Sequence, residues 1–219
     1  MPFTTKEFLE VFKNYNLSVY PAQIILNLAA ILILSHLFLK RNYSDKFINL
    51  FLAILWLWIG IVYHWLFFTS INGAAYGFAV LFILQALIFI YFGVYKDKIK
   101  YDYKKNDNKV ISLFIIAYSL ILYPLLGIMG GHIYPYNPTF GLPCPTTIFT
   151  FGIVLFANTR IKWYFIIIPI LWSIIGLSAV WNFSIYEDVG LIMSALISVY
   201  YILTRSLKDK KLREGTIPA

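Results

Sequence analysis

Residues 132–150 read HIYPYNPTFGLPCPTTIFT and separate two apolar runs of a strongly hydrophobic chain. This stretch holds the only cysteine of the chain, one of its three histidines and four of its nine prolines. Residues 139–143 contain a glycine and a proline and disfavour a helix, because proline lacks a backbone N–H and fixes its φ angle. The apolar run that follows, at about 145–157, gives about 20 Å of helix, too little to cross a hydrocarbon core of about 30 Å. The stretch therefore predicts a half-helix preceded by an irregular Gly/Pro segment.

The composition predicts the class of protein around this stretch. Hydrophobic residues make up 60% of the 219 residues, aromatic residues 19% and charged residues only 13%. Too few polar side chains remain to cover a soluble surface, and the apolar residues come in runs of membrane-spanning length. We therefore expect an all-α protein, a polytopic transmembrane helical bundle that forms one integral membrane domain over residues 1–219. The single cysteine excludes an internal disulfide.

The apolar runs predict seven spans, of which the fifth is short. They lie at about 21–39, 47–70, 74–95, 110–128, 145–157, 163–181 and 189–204. The links at 40–46, 96–109 and 158–162 and the tail 205–219 carry 16 of the 18 lysines and arginines, whereas the links at 71–73, 129–144 and 182–188 carry none. By the positive-inside rule the N-terminus lies outside and the basic C-terminal tail lies in the cytoplasm. The net charge of +8 thus indicates topology and contact with anionic lipid, not nucleic-acid binding.

A short amphipathic helix is predicted over residues 1–19, ahead of the first span. Thr4 followed three residues later by Glu7 is a capping box. Apolar residues from Phe8 to Tyr15 then recur on one face. A helix of this kind lies on the outer membrane interface, with its apolar face in the lipid.

The start of the fifth helix is the first candidate site. Pro145 suits the first helical position, which puts Cys144 at the N-cap. Free backbone N–H groups and the positive end of the helix dipole favour a thiolate or a bound anion at such a position. Thr146 and Thr147 add hydroxyl groups to this end of the helix. Counting the helical rise from the cytoplasmic boundary places Cys144 roughly 21 Å above it, in the outer third of the membrane core.

Further polar residues fall near the same depth or on the same outer side. His64 lies roughly 24 Å above the cytoplasmic boundary, so its side chain can meet Cys144 and face a common cavity. The remaining candidates, which belong to the outer links, are Asn72, His132, Glu187 and Asp188. Ionisable groups inside a bilayer are costly and are commonly functional. Together with Thr146 and Thr147, these residues form a candidate ligand or ion site.

Each candidate also has an ordinary structural interpretation. His64 can be an interfacial histidine bonded to a carbonyl, and Cys144 can be a small packing residue or a helix cap. The dipole of the last helix favours acids before it, which accounts for Glu187 and Asp188 without a ligand. His132 in an exposed link can simply be solvated. The sequence leaves both interpretations open.

Several longer motifs carry a resemblance to one protein family. They are MPFTTKEFLEVFKNYNLSVYPAQ at 1–23, YHWLFFTSIN at 63–72, YPLLGIMGGHIYP at 123–135, PTFGLPCPTTIFTFG at 138–152 and EDVGL at 187–191. Over nearly its whole length the chain resembles the domain of unknown function 6064 family of bacterial and archaeal membrane proteins. The resemblance implies an integral membrane protein with several spans and a prokaryotic source. It assigns no catalytic residue, because the family carries no established activity.

The broken fifth span indicates a small transporter or channel. Discontinuous helices in transporters aim their N-terminal ends at bound ions or anionic groups, and this helix end faces an outer side without lysine or arginine. We therefore expect an outward-facing cavity for an ion or small solute, in a multi-pass protein of the cell membrane. The expected partners are the lipid bilayer and the solute, without nucleic acid, and the oligomeric state stays open.

Two other functions also stay open. A membrane-embedded hydrolase would bind Zn²⁺ through His64, His132 and an acid, Glu187 or Asp188. As cargo or cofactor, a transition-metal ion would take His64, His132 and Cys144 as its ligands. A non-catalytic binding or accessory membrane protein is the remaining alternative. The sequence lacks a phosphate-binding glycine loop, a nucleophile elbow and paired zinc histidines, which favours transport over catalysis.

Overall fold

The chain folds into helices, as predicted. The computed structural model describes residues 2–39 and 43–213, and these residues form no β-strand, which confirms the all-α class. The helices are α1 Thr5–Ser18, α2 Ala22–Leu39, α3 Ser44–Ser70, α4 Ala75–Tyr95, α5 Lys109–Met129, α6 Pro143–Leu155, α7 Ile167–Phe183 and α8 Val189–Arg213. Parts of the predicted basic link 40–46 and of the predicted basic tail 205–219 lie outside the described residues.

Five of these helices are long and apolar enough to cross a membrane, judged by length and composition. They are α2, α3, α4, α5 and α8, the last together with the turn that precedes it. The helices α6 and α7 are shorter, with 13 and 17 residues. Each of the seven predicted apolar runs corresponds to one of these helices, and the pattern is compatible with a membrane protein.

The short helix α6 lies at the centre of the fold. All of its residues except Cys144 are buried, and α3, α5, α7 and α8 pack around it. Gly152 allows the closest approach, because a Cβ at this position would lie 2.6 Å from the side chain of Ile116 on α5. A helix that is apolar on all sides lies in a protein core or spans a membrane, and α6 lies in the core of this bundle.

Two of the three buried threonines of α6 satisfy their hydroxyls within the helix, whereas Thr146 Oγ1 has no partner among the described residues. Thr147 donates its hydroxyl to the carbonyl of Pro143 at 2.8 Å, and Thr150 donates to the carbonyl of Thr146 at 2.8 Å. The indole N–H of Trp56 on α3 donates in turn to Thr150 Oγ1 at 3.0 Å. Because buried hydroxyls need partners, these bonds let α6 carry threonines on a fully enclosed helix.

The helix α6 begins two residues earlier than predicted. Leu142 is the N-cap, with φ −88° and ψ 161°, and Pro143 is the first helical residue. Cys144 is therefore the second residue of the helix and not its cap, which corrects the prediction. Pro143 and Pro145 are both suited to the first helical position, so the sequence alone did not separate the two starts.

The C-terminal end of α6 is closed by side chains from two other segments. Asn106 donates its side-chain amide to the carbonyl of Leu155 at 2.6 Å. The guanidinium of Arg205 on α8 donates to the carbonyl of Ala157 and, at 2.8 Å, to the carbonyl of Asn158. These bonds satisfy carbonyls that a helix end otherwise leaves without partners.

The first helix, α1, covers the other end of the bundle. Its predicted capping box is present, with Thr4 and Glu7 bonded reciprocally. Phe8 stacks on Phe183 of α7 at 4.6 Å between ring centroids, and Tyr15 is fully buried. The apolar face therefore packs on protein, because α3 and α7 present aromatic rings to it, and the interfacial position of the helix stays a prediction.

The predicted irregular segment lies between α5 and α6 and is held by α1. Residues 130–142 contain no helix. Asn16 donates its side-chain amide to the carbonyl of Pro135 at 2.7 Å, and Tyr15 donates its hydroxyl to the carbonyl of Gly141 at 2.9 Å. Gly141 has a φ of +99°, a conformation that glycine adopts readily and other residues do not. The segment is thus an ordered turn with a fixed approach to α6.

Candidate functional site

A cavity of about 160 Å³ lies at the N-terminal end of α6. Its walls come from α1, α3, α4, α5 and α7, from the first residues of α6, and from the residues that lead into α6 and α8. Nine of the twenty lining residues are aromatic, among them Phe8, Phe12, Phe68, Trp172 and Phe183. The cavity is therefore mostly apolar, and three of its polar side chains, Tyr123, Cys144 and Asp188, are connected by hydrogen bonds.

The polar side of the cavity is built around the carboxyl group of Asp188. Tyr123 donates its hydroxyl to Asp188 Oδ1 at 2.5 Å, and the thiol of Cys144 donates to Asp188 Oδ2 at 3.5 Å. Asp188 is only 2% exposed, and it is the one charged residue in the lining formed by the described residues. A buried charge is costly unless it is paired, so this carboxyl group needs an explanation.

The turn before α8 sets the position of this acid. Asp188 ends the single turn Tyr186–Asp188, directly before α8. Tyr118 on α5 donates its hydroxyl to the backbone carbonyl of Glu187 at 2.8 Å. Gly190 makes room for that ring, since a Cβ there would lie 2.1 Å from Tyr118 Cε1. The motif EDVGL thus seats its second acid against α5 and α6.

The N-terminal end of α6 offers few donors to an anion. Pro143 and Pro145, the first and third helical residues, have no backbone N–H, and Thr146 N already donates to the carbonyl of Leu142 at 3.2 Å. Among residues 143–146, only Cys144 has a backbone N–H that is not already bonded within the helix. The expectation of a thiolate or bound anion at this end loses its main support, because prolines replace the donors and a carboxyl group lies beside the thiol.

His64 does not line the cavity. Its side chain is fully buried, with ring centroids 4.6 Å from Phe82 and 5.0 Å from Trp172. Neither ring nitrogen has a hydrogen-bond partner in the described part of the chain. Trp172 lines the cavity and contacts His64, so the predicted common cavity of His64 and Cys144 is not formed.

The two adjacent acids face different neighbours. Glu187 is also buried, at 2% exposed, and its Oε1 lies 3.5 Å from Nδ1 of His132. Glu187 and His132 do not line the cavity, whereas Asp188 does. The sequence grouped all three in one site, and the structure brings only Asp188 to Cys144.

The remaining candidates have mainly structural contacts. Asn72 lines the cavity, but its Oδ1 accepts from the backbone N–H of Ala74 at 3.0 Å, as in a turn. Thr146 and Thr147 are buried inside the bundle and do not line the cavity. Their hydroxyls therefore contribute to the packing of α6 and not to the cavity wall.

A metal centre is not assembled from the predicted ligands. Over residues 2–39 and 43–213, no group of three or more histidine, cysteine, aspartate and glutamate side chains is placed to hold a metal ion. The predicted set of His64, His132 and Cys144 is divided between separate positions. A catalytic zinc site takes three protein ligands, so neither the hydrolase nor the transition-metal hypothesis has a built site in the described residues.

Two cavity residues, Tyr123 and Trp172, were missed in the sequence. Tyr123 lies in the apolar run of α5, where a buried hydroxyl needs a partner, and that requirement was the available signal. Trp172 lies in the predicted apolar run 163–181, where a tryptophan also suits packing or the lipid interface. Its role as a wall depends on helix rotation, which spacing along one chain does not determine.

The described residues define an all-α protein with several apolar helices, compatible with a membrane protein, and with a buried acid in an aromatic cavity. The chain belongs to the family of unknown function DUF6064, whose family model matches residues 5–213. No curated protein and no solved structure matches the chain significantly.

Proposed function

We propose that this protein is a multi-pass protein of the cell membrane that binds a small solute in the outer cavity and moves it across the bilayer. The carrying observation is the cavity itself, in which Asp188, Tyr123 and Cys144 meet at the end of a short central helix. Ligand sites are concave and mostly apolar, with a few convergent polar groups, and this cavity has that character.

The proposed topology has seven spans, with the N-terminus outside. Five helices are long enough to span, and α6 and α7 complete the set as shorter elements enclosed by the others. The cavity draws residues from the links without lysine or arginine, such as Asn72, Pro138 and Asp188. The positive-inside rule assigns such links to the outer side, which supports an outward-facing cavity.

The length of α6 supports transport in preference to simple binding. A helix of 13 residues covers about 20 Å at 1.5 Å per residue, so it ends inside a hydrocarbon core of about 30 Å. Non-helical backbone at that depth is stable only when protein encloses it or water reaches it. Half-helices of this kind mark the binding sites of many transporters, which is the analogy that favours movement of the solute.

The outer position of the cavity is testable through Cys144, the only cysteine of the chain. A small, membrane-impermeant thiol reagent is applied to right-side-out and to inside-out vesicles, with Cys144→Ser as the blank. We expect labelling from the outside only. Labelling from the cytoplasmic side alone would overturn the proposed topology.

Movement of the solute needs a second assay. Proteoliposomes are exposed to an osmotic step of urea, glycerol, acetate, methylamine or choline, and swelling is followed by light scattering. We expect at least one of these solutes to enter faster than into protein-free vesicles. If none does while a solute still binds the purified protein, the protein is a binding protein and the transport proposal fails.

A further inference from the structure

The charge, shape and size of the cavity together specify a class of ligand. We propose that the cavity binds a small organic cation, a quaternary ammonium or a protonated amine, with its charge between Asp188 and the aromatic wall. This inference rests on the proposed function only in using the same cavity, and it does not require that the ligand is transported.

The charge of the lining is the first argument. Asp188 is buried, and no lysine or arginine among the described residues lines the cavity. The polar contacts of Asp188 are the hydroxyl of Tyr123 and the thiol of Cys144, both neutral donors. An acid in an apolar cavity without a cationic partner is most strongly stabilised by a ligand that brings the missing positive charge.

The end of α6 gives the same preference by excluding the opposite charge. Helix N-termini bind anions through free backbone N–H groups, and Pro143 and Pro145 remove two of those groups here. The carboxyl group of Asp188 lies 3.5 Å from the thiol of Cys144, so an acid is already beside this helix end. A carboxylate or phosphate ligand would therefore meet repulsion and few donors.

The aromatic wall supplies the second half of a cation site. Phe3 and Phe8 both stack on Phe183, with ring centroids at 5.3 Å and 4.6 Å. The faces left for a cation therefore belong to other lining rings, among them Phe68 and Trp172. The faces of aromatic rings attract cations, and cages of several rings are a recurrent means of holding quaternary ammonium groups. The ring of Trp172 adds the strongest type of face to the same lining.

Trp172 also indicates that something polar binds here. The residue is only 7% exposed, and its indole N–H has the Cys144 thiol near it but no nitrogen or oxygen acceptor among the described residues. A buried N–H without a partner is costly, and a ligand with an acceptor such as a hydroxyl group would satisfy it. A small cation that carries one hydroxyl or carbonyl group fits both Asp188 and Trp172.

The volume limits the size of the ligand. A cavity of about 160 Å³ is close to the ~150 Å³ of an engineered cavity that takes benzene. The ligand therefore has on the order of five to ten heavy atoms. Tetramethylammonium and choline fall in this range, whereas a whole phospholipid does not. A bare metal ion is disfavoured because only one carboxyl group is available to it.

The test compares choline with its neutral isostere, 3,3-dimethylbutan-1-ol, which has the same shape without the charge. Binding to the full-length protein in lipid nanodiscs is measured by calorimetry, with acetate as the anionic probe. We expect choline to bind at least tenfold more tightly than the neutral alcohol, and acetate not to bind. Equal affinity for choline and the alcohol, or tighter binding of acetate, would overturn the proposal.

Two matched variants locate the charge. Asp188→Asn keeps the size of the side chain and should lower the affinity for choline at least tenfold. Glu187→Gln changes the neighbouring acid, which lies outside the cavity, and should leave that affinity within about twofold. Loss of choline binding in Glu187→Gln but not in Asp188→Asn contradicts the proposal.

If Asp188→Asn does not fold, the wild-type protein still provides a test. Methanethiosulfonates that carry a trimethylammonium or a sulfonate group are compared as modifiers of Cys144, with their rates on free cysteine as the reference. We expect the cationic reagent to react at least tenfold faster after this correction. A faster anionic reagent would overturn the proposal.

The outcomes separate this inference from transport. Tight choline binding without swelling of proteoliposomes in any of the five solutes supports the cation site and removes the transport proposal. Swelling with a neutral or anionic solute, in a protein that does not bind choline, supports transport and removes the cation site.

Discussion

The two ends of α6 differ in what the chain places against them. At the C-terminal end, Asn106 and Arg205 bond the last carbonyls, so protein groups satisfy that end. At the N-terminal end, Pro143 is followed by Cys144 and a cavity of about 160 Å³ that contains one buried acid. Side chains of the protein bond the carbonyls at the C-terminal end, whereas a cavity adjoins the N-terminal end. This difference supports the proposal that the N-terminal end of α6 is the site of ligand binding.

The largest expected effect on stability comes from removing a side-chain bond at the C-terminal end of α6. Asn106→Leu removes the 2.6 Å bond to the carbonyl of Leu155, a buried acceptor that then has no replacement for this donor. We expect the free energy of unfolding to fall by about 2 kcal/mol, the usual cost of such a loss. Unfolding in mixed detergent micelles measures it, and choline affinity should not change.

The control for this prediction is Asn182→Leu. Asn182 is exposed and bonds only one turn back, to the carbonyl of Ser178 at 2.7 Å. We expect a change below about 0.5 kcal/mol there. Equal losses in the two variants would show that the cap at Leu155 is not important for stability.

The next effect concerns the contact between α1 and residues 130–142, the segment that precedes α6. Tyr15→Phe removes a buried hydroxyl that donates to the carbonyl of Gly141 at 2.9 Å and accepts from the indole of Trp58 at 2.8 Å. We expect a loss of about 1.5 kcal/mol, with faster hydrogen exchange in α1 and in residues 130–142. Tyr20→Phe, at a residue 62% exposed, is the control and should change neither measurement. Uniformly faster hydrogen exchange over all helices would contradict a local role of the Tyr15 hydroxyl in the contact between α1 and residues 130–142.

A smaller effect is expected inside the cavity. Tyr123→Phe removes the hydroxyl that donates to Asp188 at 2.5 Å, and we expect the unfolding free energy to fall by about 1 kcal/mol. Tetramethylammonium should restore part of this loss, because the cation compensates the carboxyl group in place of the hydroxyl. Thermal unfolding is measured without tetramethylammonium and at concentrations of it that increase in tenfold steps. Tyr76→Phe, at an exposed ring, is the control. If tetramethylammonium stabilises the wild type, Tyr123→Phe and Tyr76→Phe equally, the role of Tyr123 is contradicted.

The smallest effect is a pH dependence of the α1 contact. The ammonium of Lys13, together with the hydroxyl of Tyr136, lowers the pKa of Glu10 below its ordinary value. A carboxyl group whose pKa is lower in the folded protein stabilises it above the unfolded pKa, and that contribution is lost as the pH falls through the folded pKa. We expect hydrogen exchange in α1 to become slightly faster at acidic pH. Glu10→Gln should remove this pH dependence, and an unchanged profile in that variant would contradict the assignment.

Much of the fold follows from the sequence, because apolar runs and capping patterns are local. The capping box of Thr4 and Glu7, the long apolar helices and the short helix near Pro145 needed only neighbouring residues. The start of α6 was misplaced because Pro143 and Pro145 meet the same local requirement. The seven-span count and the orientation remain predictions.

The site was harder to predict, because it depends on helix rotation. The helical rise gives the depth of His64, but it does not show that Phe82 and Trp172 surround the ring. The adjacent acids 187 and 188 could not be told apart until the turn before α8 directed them to different neighbours. Tyr123 was missed, because a tyrosine in an apolar run also suits lipid contact.

The most direct test of the proposed cation site at the N-terminal end of α6 is the rate at which Cys144 is modified from each side of the membrane. A small impermeant thiol reagent is applied to right-side-out and to inside-out vesicles, with and without tetramethylammonium. We expect reaction from the outside only, slowed at least fivefold by the cation and not slowed in Asp188→Asn. Reaction from the cytoplasmic side, or a rate that the cation does not change, would contradict an outward cation cavity at this helix end.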